Sequence, residues 1–212
     1  MRKIVLYSDQ MIEENRKVDY ELLRLLNKKS PSIGYVPSCS DLTRKYFNEK
    51  VEYYNKLGIT DIEYFDLDKE YDETKIKYLF KCDAIHLSGG NTFYFLHLLK
   101  KRNLIKLLQL YVEQGGILIG VSAGSIITTK SIDIAQFGDE KIIGMDDSSS
   151  LELVDFEFMP HWSENESSKY LKLLKDYSKS KRSTVYCCND GDGIVIDGND
   201  IKFIGNLIKI SN

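Results

Sequence analysis

The 212-residue chain lacks any hydrophobic run long enough to cross a membrane. Its first residues, MRKIVLYSDQ, contain only four apolar residues in succession, from Ile4 to Tyr7, which is too few for the core of a signal peptide. We therefore expect a cytoplasmic protein with no membrane partner. The chain also lacks a linker rich in proline, glycine or serine, so a single domain over residues 1–212 is expected.

A strong charge of either sign is also absent. The formal net charge is −3 and the isoelectric point is near 5.7, with basic and acidic side chains interspersed. Because there is no basic stripe, we expect no nucleic-acid partner, and a small-molecule or peptide partner fits better.

Cysteine and histidine are too few and too widely spaced to predict a metal centre. The three histidines are dispersed, and no cysteine belongs to a C-x-x-C pair. In a reducing compartment the cysteines would be free thiols, and they are Cys39, Cys82, Cys187 and Cys188. We therefore expect no zinc site.

Apolar runs of strand length alternate with amphipathic segments over most of the chain. Helical periodicity predicts helices over residues 15–29, 43–57, 72–80, 92–100 and 104–114. The runs that predict strands are KIVLYS, SIGYVP, DIEYFDL, DAIHLSGG and GILIGVS. This order predicts an α/β fold whose mostly parallel sheet is covered by helices on both faces.

The last third of the chain contains more closely spaced strand-like runs, FEFMPH, TVYCCND, GIVIDG and IKFIGN. Asp197 to Asp200 predict a hairpin turn between the last two runs. Antiparallel strands are therefore expected near the carboxyl terminus, with the hairpin at an edge of the sheet.

Functional residues are expected where parallel strands end and helices begin. One such junction is Ser88-Gly89-Gly90-Asn91-Thr92, directly after the run DAIHL. Paired glycines would let backbone N–H groups approach a ligand, and the helix start would add a positive dipole end. Gly89, Asn91 and Thr92 are therefore candidates for substrate binding, although a Gly-Gly pair can equally form a tight turn without a ligand.

The second junction is the sequence GVSAG from Gly120 to Gly124, which lies between a strand-like run and the segment SIITT. This G-x-S-x-G pattern is typical of a nucleophile elbow, in which a strained turn exposes the serine hydroxyl. It predicts Ser122 as the nucleophile, with the Ala123 N–H group facing a developing oxyanion.

A serine nucleophile requires a general base. His86 lies in an apolar strand and His97 among leucines on a helix, so structural roles are expected for both. His161 follows FEFMP at a strand end and is the only histidine downstream of Ser122. We favour it as the base, with an exposed loop histidine as the alternative.

The base in turn requires a group that orients it. The sequence CCNDGDG supplies Asp190 and Asp192 at the end of another apolar run. Turn formation is an alternative role for aspartates next to glycine. Even so, Ser122, His161 and Asp190 would each lie at the carboxyl end of its own strand.

Four segments, LSGGNTFYFL, GGILIGVSAGS, FMPHW and CCNDGDGIVI, resemble in order and spacing the peptidase E family of serine peptidases, the aspartyl dipeptidases, to which cyanophycinases are related. The resemblance covers nearly the whole chain. It implies a class I glutamine amidotransferase-like fold, a flavodoxin-like three-layer α/β/α sandwich in which serine takes the place of the amidotransferase cysteine.

The resemblance also implies residue roles: Ser122 as nucleophile, His161 as general base, and Gly90 with Ala123 as oxyanion donors. The acid of the dipeptidases is a glutamate in a Pro-Glu-Gly turn, where this chain has N-D-G with Asp190 in the middle. Aspartate is shorter by one methylene, so this turn must lie closer to His161. The implied activity is hydrolysis of a short peptide or small amide through an acyl-enzyme, without metal or organic cofactor, by a monomer or homodimer.

Three other interpretations stay open. An α/β-hydrolase esterase would have its acid between the elbow and His161, where the candidates are Asp133, Asp139 and Asp155. A cysteine amidotransferase is disfavoured by the serine in the elbow, although Cys187 and Cys188 lie near the proposed acid. A non-catalytic domain could keep the fold for partner binding, but the intact Ser122 and His161 argue against it.

Specificity is expected to differ from that of the aspartyl dipeptidases. In that family the segment after the catalytic histidine carries an arginine suited to binding the aspartate carboxylate of the substrate. The segment after His161, WSENESSK, has no arginine, and it contains Glu164, Glu166 and Lys169. We therefore expect hydrolysis without strict preference for an amino-terminal aspartate.

Overall fold

In the computed structural model, ten strands form the sheets within the residues that it describes. The structure describes residues 1–211, except for the side chains of residues 164–169. The strands are β1 (Lys3–Tyr7), β2 (Ser32–Val36), β3 (Asp61–Tyr64), β4 (Ala84–Leu87), β5 (Ile117–Val121), β6 (Glu157–Met159), β7 (Val185–Cys187), β8 (Gly193–Asp197), β9 (Asp200–Ile204) and β10 (Ile208–Ile210).

Over the described residues, seven α-helices connect these strands. They are α1 (Arg16–Leu26), α2 (Lys45–Lys56), α3 (Ile76–Leu79), α4 (Thr92–Lys101), α5 (Leu104–Glu113), α6 (Ala123–Ile127) and α7 (Glu164–Lys181). The five helices predicted from periodicity correspond to α1 to α5, and a 3₁₀ turn at Glu73–Lys75 precedes the third of them. Among the helices described, none combines the length and the apolar character needed to span a bilayer.

The central sheet contains seven strands in the order β3-β2-β4-β5-β1-β8-β9. The first five of these run parallel to one another, whereas β8 is antiparallel to β1 and β9 to β8. The β8–β9 hairpin turns next to Asp197 and places β9 at the sheet edge. The predicted mostly parallel sheet with antiparallel carboxyl-terminal strands is therefore confirmed.

Helices cover both faces of this sheet because its inner strands carry apolar side chains on both sides. On β1, Leu6 belongs to a buried cluster that includes Leu96 of α4. The neighbouring Val5 points to the opposite face and belongs to a second cluster with Leu22 of α1 and Tyr54 of α2. Each such side chain contributes roughly 1.5–3 kcal/mol on burial. The result is the three-layer α/β/α sandwich that the sequence predicts.

A second, three-stranded sheet in the order β10-β7-β6 is separate from the first. The strand-like runs predicted β6 and β7, but not their separation from the central sheet. In this sheet β6 is parallel to β7, so both strands end on the same side. The Cys188 N–H donates to the Met159 carbonyl at 2.9 Å, and the Trp162 N–H donates to the Cys188 carbonyl at 2.9 Å. These bonds hold the two strand ends, which lead to His161 and Asp190, side by side.

Helix α7 is a feature that the sequence analysis did not predict. Its sequence is mostly polar, and only a narrow apolar stripe contacts the core. Leu174 and Tyr177 are buried in the larger cluster, and Phe137 packs edge-on against Tyr177. Tertiary contacts, rather than a wide apolar face, therefore hold this helix against the sheets.

We predict that Glu157 of β6 makes stability fall as the pH rises. Its side chain is buried against the Tyr177 hydroxyl, which donates to Oε2 at 3.3 Å. Burial raises the pKa of Glu157 to about 7 from an unfolded value of about 4.3. Between these two pKa values the unfolded chain loses the proton more readily than the folded protein. Stability is therefore lost as the pH rises through this range, by about 3–4 kcal/mol in all.

Glu157→Gln removes this ionisation, so the variant should become progressively more stable than the wild type between pH 4.5 and 7. Urea unfolding at pH 5 and pH 8 measures the difference, with the exposed Glu52→Gln on α2 as control. A stability difference that is the same at both pH values would contradict the prediction.

Candidate active site

The carboxyl ends of three adjacent strands define the candidate site. Strand β5 pairs in parallel with β4 on one side and with β1 on the other. The residues that follow these strands therefore meet at one edge of the sheet. They are Ser8 after β1, the Ser88–Gly90 segment after β4, and Ser122 after β5.

Ser122 occupies a sharp turn between β5 and α6. Its backbone angles are φ 50° and ψ −107°, which a residue other than glycine adopts only at a cost of about 1–3 kcal/mol. The surrounding backbone holds this turn in place: the Ser122 N–H donates to the Tyr7 carbonyl at 3.0 Å, and the Gly124 N–H to the Ser88 carbonyl at 3.1 Å. The local geometry is that of a nucleophile elbow.

The two glycines of the elbow allow this close packing. A Cβ atom on Gly124 would lie 2.1 Å from the Leu87 carbonyl oxygen of β4, and one on Gly120 would lie 2.8 Å from the Gly124 backbone. Both distances are too short for any side chain. The turn can therefore approach β4 this closely only with glycine at both positions.

The three residues predicted as the catalytic group are joined by hydrogen bonds. Ser122 Oγ is 2.8 Å from His161 Nε2, and His161 Nδ1 is 2.7 Å from Asp190 Oδ1. A proton on Nδ1 donated to the carboxylate leaves Nε2 free to accept the serine proton. The side chains of His161 and Asp190 are half-exposed. A substrate can therefore reach the pair from solvent.

Ser8 is a member of this group that the sequence analysis missed. It is fully buried, its hydroxyl donates to the Cys188 carbonyl at 2.9 Å, and it accepts the His161 N–H at 2.8 Å. The same oxygen lies 3.4 Å from Asp190 Oδ1. Ser8 thus ties the end of β1 to both loops that carry the histidine and the aspartate. The one signal in the sequence was a polar residue ending an apolar run.

The backbone N–H groups of Ala123 and Gly90 are the predicted oxyanion donors, and they belong to the residue after Ser122 and to the glycine loop after β4. Within residues 1–211, neither N–H donates to a protein acceptor. Gly90 has φ +131°, and a Cβ atom there would lie 2.0 Å from Ser38 Oγ. A Cβ atom on Gly89 would lie 3.5 Å from the Ser122 Cβ, so the glycine loop contacts the elbow directly. The roles of Gly90 and Ala123 as oxyanion donors stay a prediction.

Asn91 and Thr92, predicted as substrate-binding residues, make structural contacts at the start of α4. The Asn91 side chain caps the helix by accepting the Tyr94 N–H at 3.0 Å, and it donates to the Glu140 carbonyl at 2.8 Å. The Thr92 N–H donates to Asp139 Oδ2 at 2.7 Å. The positive end of this helix is thus occupied by a carboxylate of the chain, and contact of these two residues with substrate stays a prediction.

A cavity of about 660 Å³ opens beside Ser122 and His161. One wall is the Gly89–Gly90 loop, and the other is the loop after β2 together with the first turns of α2. Residues that line this second wall include Ser38, Cys39, Tyr46 and Lys50. The cavity is large enough for a small ligand.

The carboxylates that an esterase would use have other partners. Asp133 pairs with Lys181, Asp155 Oδ1 lies 2.9 Å from Lys130 Nζ, and Asp139 accepts the Thr92 N–H. None of them contacts His161 within the part of the chain that the structure describes. The carboxylate beside His161 is Asp190.

Cys187, Cys188 and the two histidines outside the site occupy structural positions. Cys187 and Cys188 are fully buried, and burial raises the pKa of the Cys187 thiol to about 12. His86 is also fully buried, with Nδ1 2.7 Å from the Tyr54 hydroxyl, whereas His97 stacks on Tyr94. Within the described residues no cluster of potential metal ligands is found. The side chains of Glu164, Glu166 and Lys169 lie outside the described residues.

Comparison with known sequences identifies related peptidases. Residues 4–204 match the family described as peptidase family S51. An uncharacterized peptidase of Listeria innocua is 31% identical over 159 residues, which cover 73% of this chain and 76% of that protein. Peptidase E of Shewanella denitrificans is 28% identical over 131 residues, which cover 59% of this chain and 55% of that protein.

Solved structures share the fold. A candidate peptidase E from Listeria monocytogenes EGD-e superposes with a TM-score of 0.78 and 23% identity, covering 96% of this chain and 98% of that one. A peptidase from an acI-B1 actinobacterium gives a TM-score of 0.72 at 16% identity, over 100% of this chain and 94% of the other. At these identities the likeness supports the fold alone.

We predict that Ser8→Ala destabilises the protein by about 1–3 kcal/mol, because the His161 N–H and the Cys188 carbonyl would lose a buried partner. The free energy of urea unfolding measures the loss. Ser180→Ala, at an exposed position of α7, is the matched control and should change stability by less than about 0.5 kcal/mol. A Ser8→Ala value no larger than that of the control would contradict the role assigned to this hydroxyl.

Proposed function

The chain belongs to peptidase family S51, and we propose that it is a serine peptidase that hydrolyses short peptides or small amides through an acyl-enzyme on Ser122. One observation carries the proposal. The Ser122 hydroxyl, the His161 imidazole and the Asp190 carboxylate form one hydrogen-bonded series at the mouth of a cavity.

The reaction begins with removal of the serine proton. His161 Nε2 accepts the proton while Ser122 Oγ attacks the carbonyl carbon of the substrate, and the resulting imidazolium is stabilised by Asp190. The attack gives a tetrahedral intermediate with one negative oxygen. That oxygen would bind the N–H groups of Gly90 and Ala123, each worth about 3–4 kcal/mol in the transition state.

Collapse of the intermediate releases the amine half of the substrate. His161 Nε2 returns its proton to the leaving nitrogen as the C–N bond breaks, and the acyl group remains as an ester on Ser122. A water molecule then loses a proton to His161 and attacks the ester. The products are the free acid and regenerated Ser122, so the cycle consumes one water and requires no cofactor.

Asp190 takes the place that a glutamate has in the aspartyl dipeptidases. Its shorter side chain still lies 2.7 Å from His161 Nδ1. The short connection after β7 supports this contact, since Asn189 N and Nδ2 both donate to Asp192 Oδ2 at 2.9 Å and tighten the turn. The tight turn compensates for the missing methylene.

The substrate class is a short peptide or another small amide, without strict preference for an amino-terminal aspartate. The cavity size supports a small substrate. The absence of an arginine from the WSENESSK segment supports a specificity different from that of the aspartyl dipeptidases.

Covalent labelling tests the nucleophile. A fluorophosphonate probe should label the wild-type protein, and Ser122→Ala should abolish the labelling because the reactive oxygen is removed. The exposed Ser30→Ala is a control that should be labelled like the wild type. Labelling that persists in a folded Ser122→Ala protein would rule out Ser122 as the nucleophile.

Turnover in aspartate variants tests the acid. Asp190→Asn should leave the fold intact and lower kcat by about four orders of magnitude, because the amide no longer holds the reactive tautomer of His161. The corresponding Asn variants of Asp133, Asp139 and Asp155 should have far smaller effects on kcat. If one of these three carried the large loss instead, the esterase arrangement would be favoured.

A further inference from the structure

Lys50 of α2 is a buried cation in the wall of the candidate active site. Only 8% of the residue is exposed. It lines the same cavity as Ser122, His161 and Gly90. Lysine is almost never buried to this extent unless its ammonium group is paired. The groups around its Nζ atom therefore show whether the protein itself supplies a partner for the charge.

In the part of the chain that the structure describes, the Lys50 ammonium group has one hydrogen-bond acceptor. Nζ donates to Gln10 Oε1 at 3.1 Å, and it lies 5.9 Å from the centroid of the Tyr53 ring. Among the described residues, no carboxylate oxygen lies within 4.0 Å of Lys50 Nζ, so Lys50 forms no ion pair with them. An ammonium group carries three donors, so two of them are left without a protein acceptor.

The charge is retained at neutral pH. Burial lowers the pKa of Lys50 to about 8, with Asp9, Glu49 and Asp19 acting in the opposite direction. An ammonium group with this pKa is mostly protonated at pH 7. Keeping such a charge out of water is unfavourable when no ion pair compensates it. A buried cation of this kind in a cavity is a candidate functional group.

We propose that Lys50 forms a carboxylate subsite of the cavity, which holds the peptide that Ser122 cleaves by one of its carboxylate groups. This inference rests on the proposed function, because the ligand is taken to be the peptide substrate. The ammonium group would gain the charged partner that the protein does not supply, and the peptide would be oriented relative to Ser122.

The other charges in the cavity restrict the ligand to a single negative group. Asp9 and Asp41 also line it. The Asp41 carboxylate is occupied, since it accepts the Phe47 N–H at 2.9 Å and the Thr43 hydroxyl at 3.3 Å. Asp9 Oδ1 accepts the Gln10 N–H at 2.7 Å. These two carboxylates outweigh the one ammonium group of the lining, so an anion gains only where it contacts Lys50 Nζ directly. A phosphate or another multiply charged anion would meet more repulsion there than a single carboxylate.

A peptide can offer that carboxylate from two sources, its carboxyl terminus or an acidic side chain. Binding to the Ser122→Ala protein, measured by isothermal titration calorimetry, separates them without turnover. Four ligands are compared: Ala-Ala, its carboxyl-terminal amide, and the amides of Asp-Ala and Ala-Asp. If the terminus is bound, Ala-Ala should bind about 10- to 100-fold more tightly than its amide. If a side chain is bound, one of the aspartyl amides should show that advantage over Ala-Ala amide.

The same titrations on Ser122→Ala combined with Lys50→Met test the residue. Methionine keeps a long apolar stem but no charge, so the advantage of the carboxylate ligand should vanish while Ala-Ala amide binds as before. Lys50→Arg should restore part of the advantage. The matched control is Lys56→Met, at an exposed position of the same helix, which should leave all four affinities unchanged. If Lys50→Met does not fold, Lys50→Gln serves as the uncharged variant.

Two outcomes would overturn the subsite. One is equal affinity for all four ligands, and the other is a Lys50→Met protein that keeps the preference or loses affinity for every ligand alike. The outcome for the proposed function is separate, because it depends on peptide hydrolysis by the wild-type protein. A carboxylate preference lost in Lys50→Met, together with no hydrolysis by the wild type, would support the subsite and reject the peptidase.

Discussion

The backbone strain at Ser122 is the constraint on which the rest of the site depends. A serine with φ 50° cannot keep this conformation alone. It is held because β1 and β4 supply carbonyl acceptors at Tyr7 and Ser88 to the turn. Those acceptors are in place only because β5 lies between β1 and β4 in the sheet. The strand order of the fold thus determines where the hydroxyl points.

His161 and Asp190 follow strands of the three-stranded sheet, whereas Ser122 follows a strand of the central sheet, so the two sheets must be held together at the site. Strands β6 and β7 end next to each other, and the bond between Trp162 and Cys188 joins the loops that follow them. Ser8 then fixes this pair of loops to the central sheet, through the His161 N–H and the Cys188 carbonyl. One buried hydroxyl therefore connects the two sheets at the point where the proposed proton transfer takes place.

The sequence was most informative where the geometry of a short segment permits only a few residue types. The glycines around Ser122 indicated the elbow, because no other residue fits against Leu87 at that distance. The alternation of strands and helices and the β8–β9 hairpin also followed from periodicity and turn residues. Helix α7 was not predicted from the sequence, because its apolar stripe is narrow and it is held by contacts with residues distant in sequence, such as Phe137. One contact of Asn91 was equally hidden, because the Glu140 carbonyl to which its side chain donates is 49 residues away in sequence.

Lys50 shows most clearly why a pattern along the chain does not reveal this kind of residue. It is one of 29 lysines and arginines, and in the amphipathic sequence of α2 nothing distinguishes it from its exposed neighbours Lys45 and Lys56. Its surroundings depend on tertiary contacts, since Lys50 Nζ donates to Gln10 Oε1, and Gln10 Nε2 in turn donates to the Tyr54 hydroxyl. In the aspartyl dipeptidases the cation suited to the substrate carboxylate lies in the segment after the catalytic histidine. Here the buried cation of the cavity lies on α2 instead, so a peptide held by it would be positioned from the wall formed by α2 and the loop after β2. A peptidase can in this way keep its elbow and its base while a different part of the fold selects the substrate.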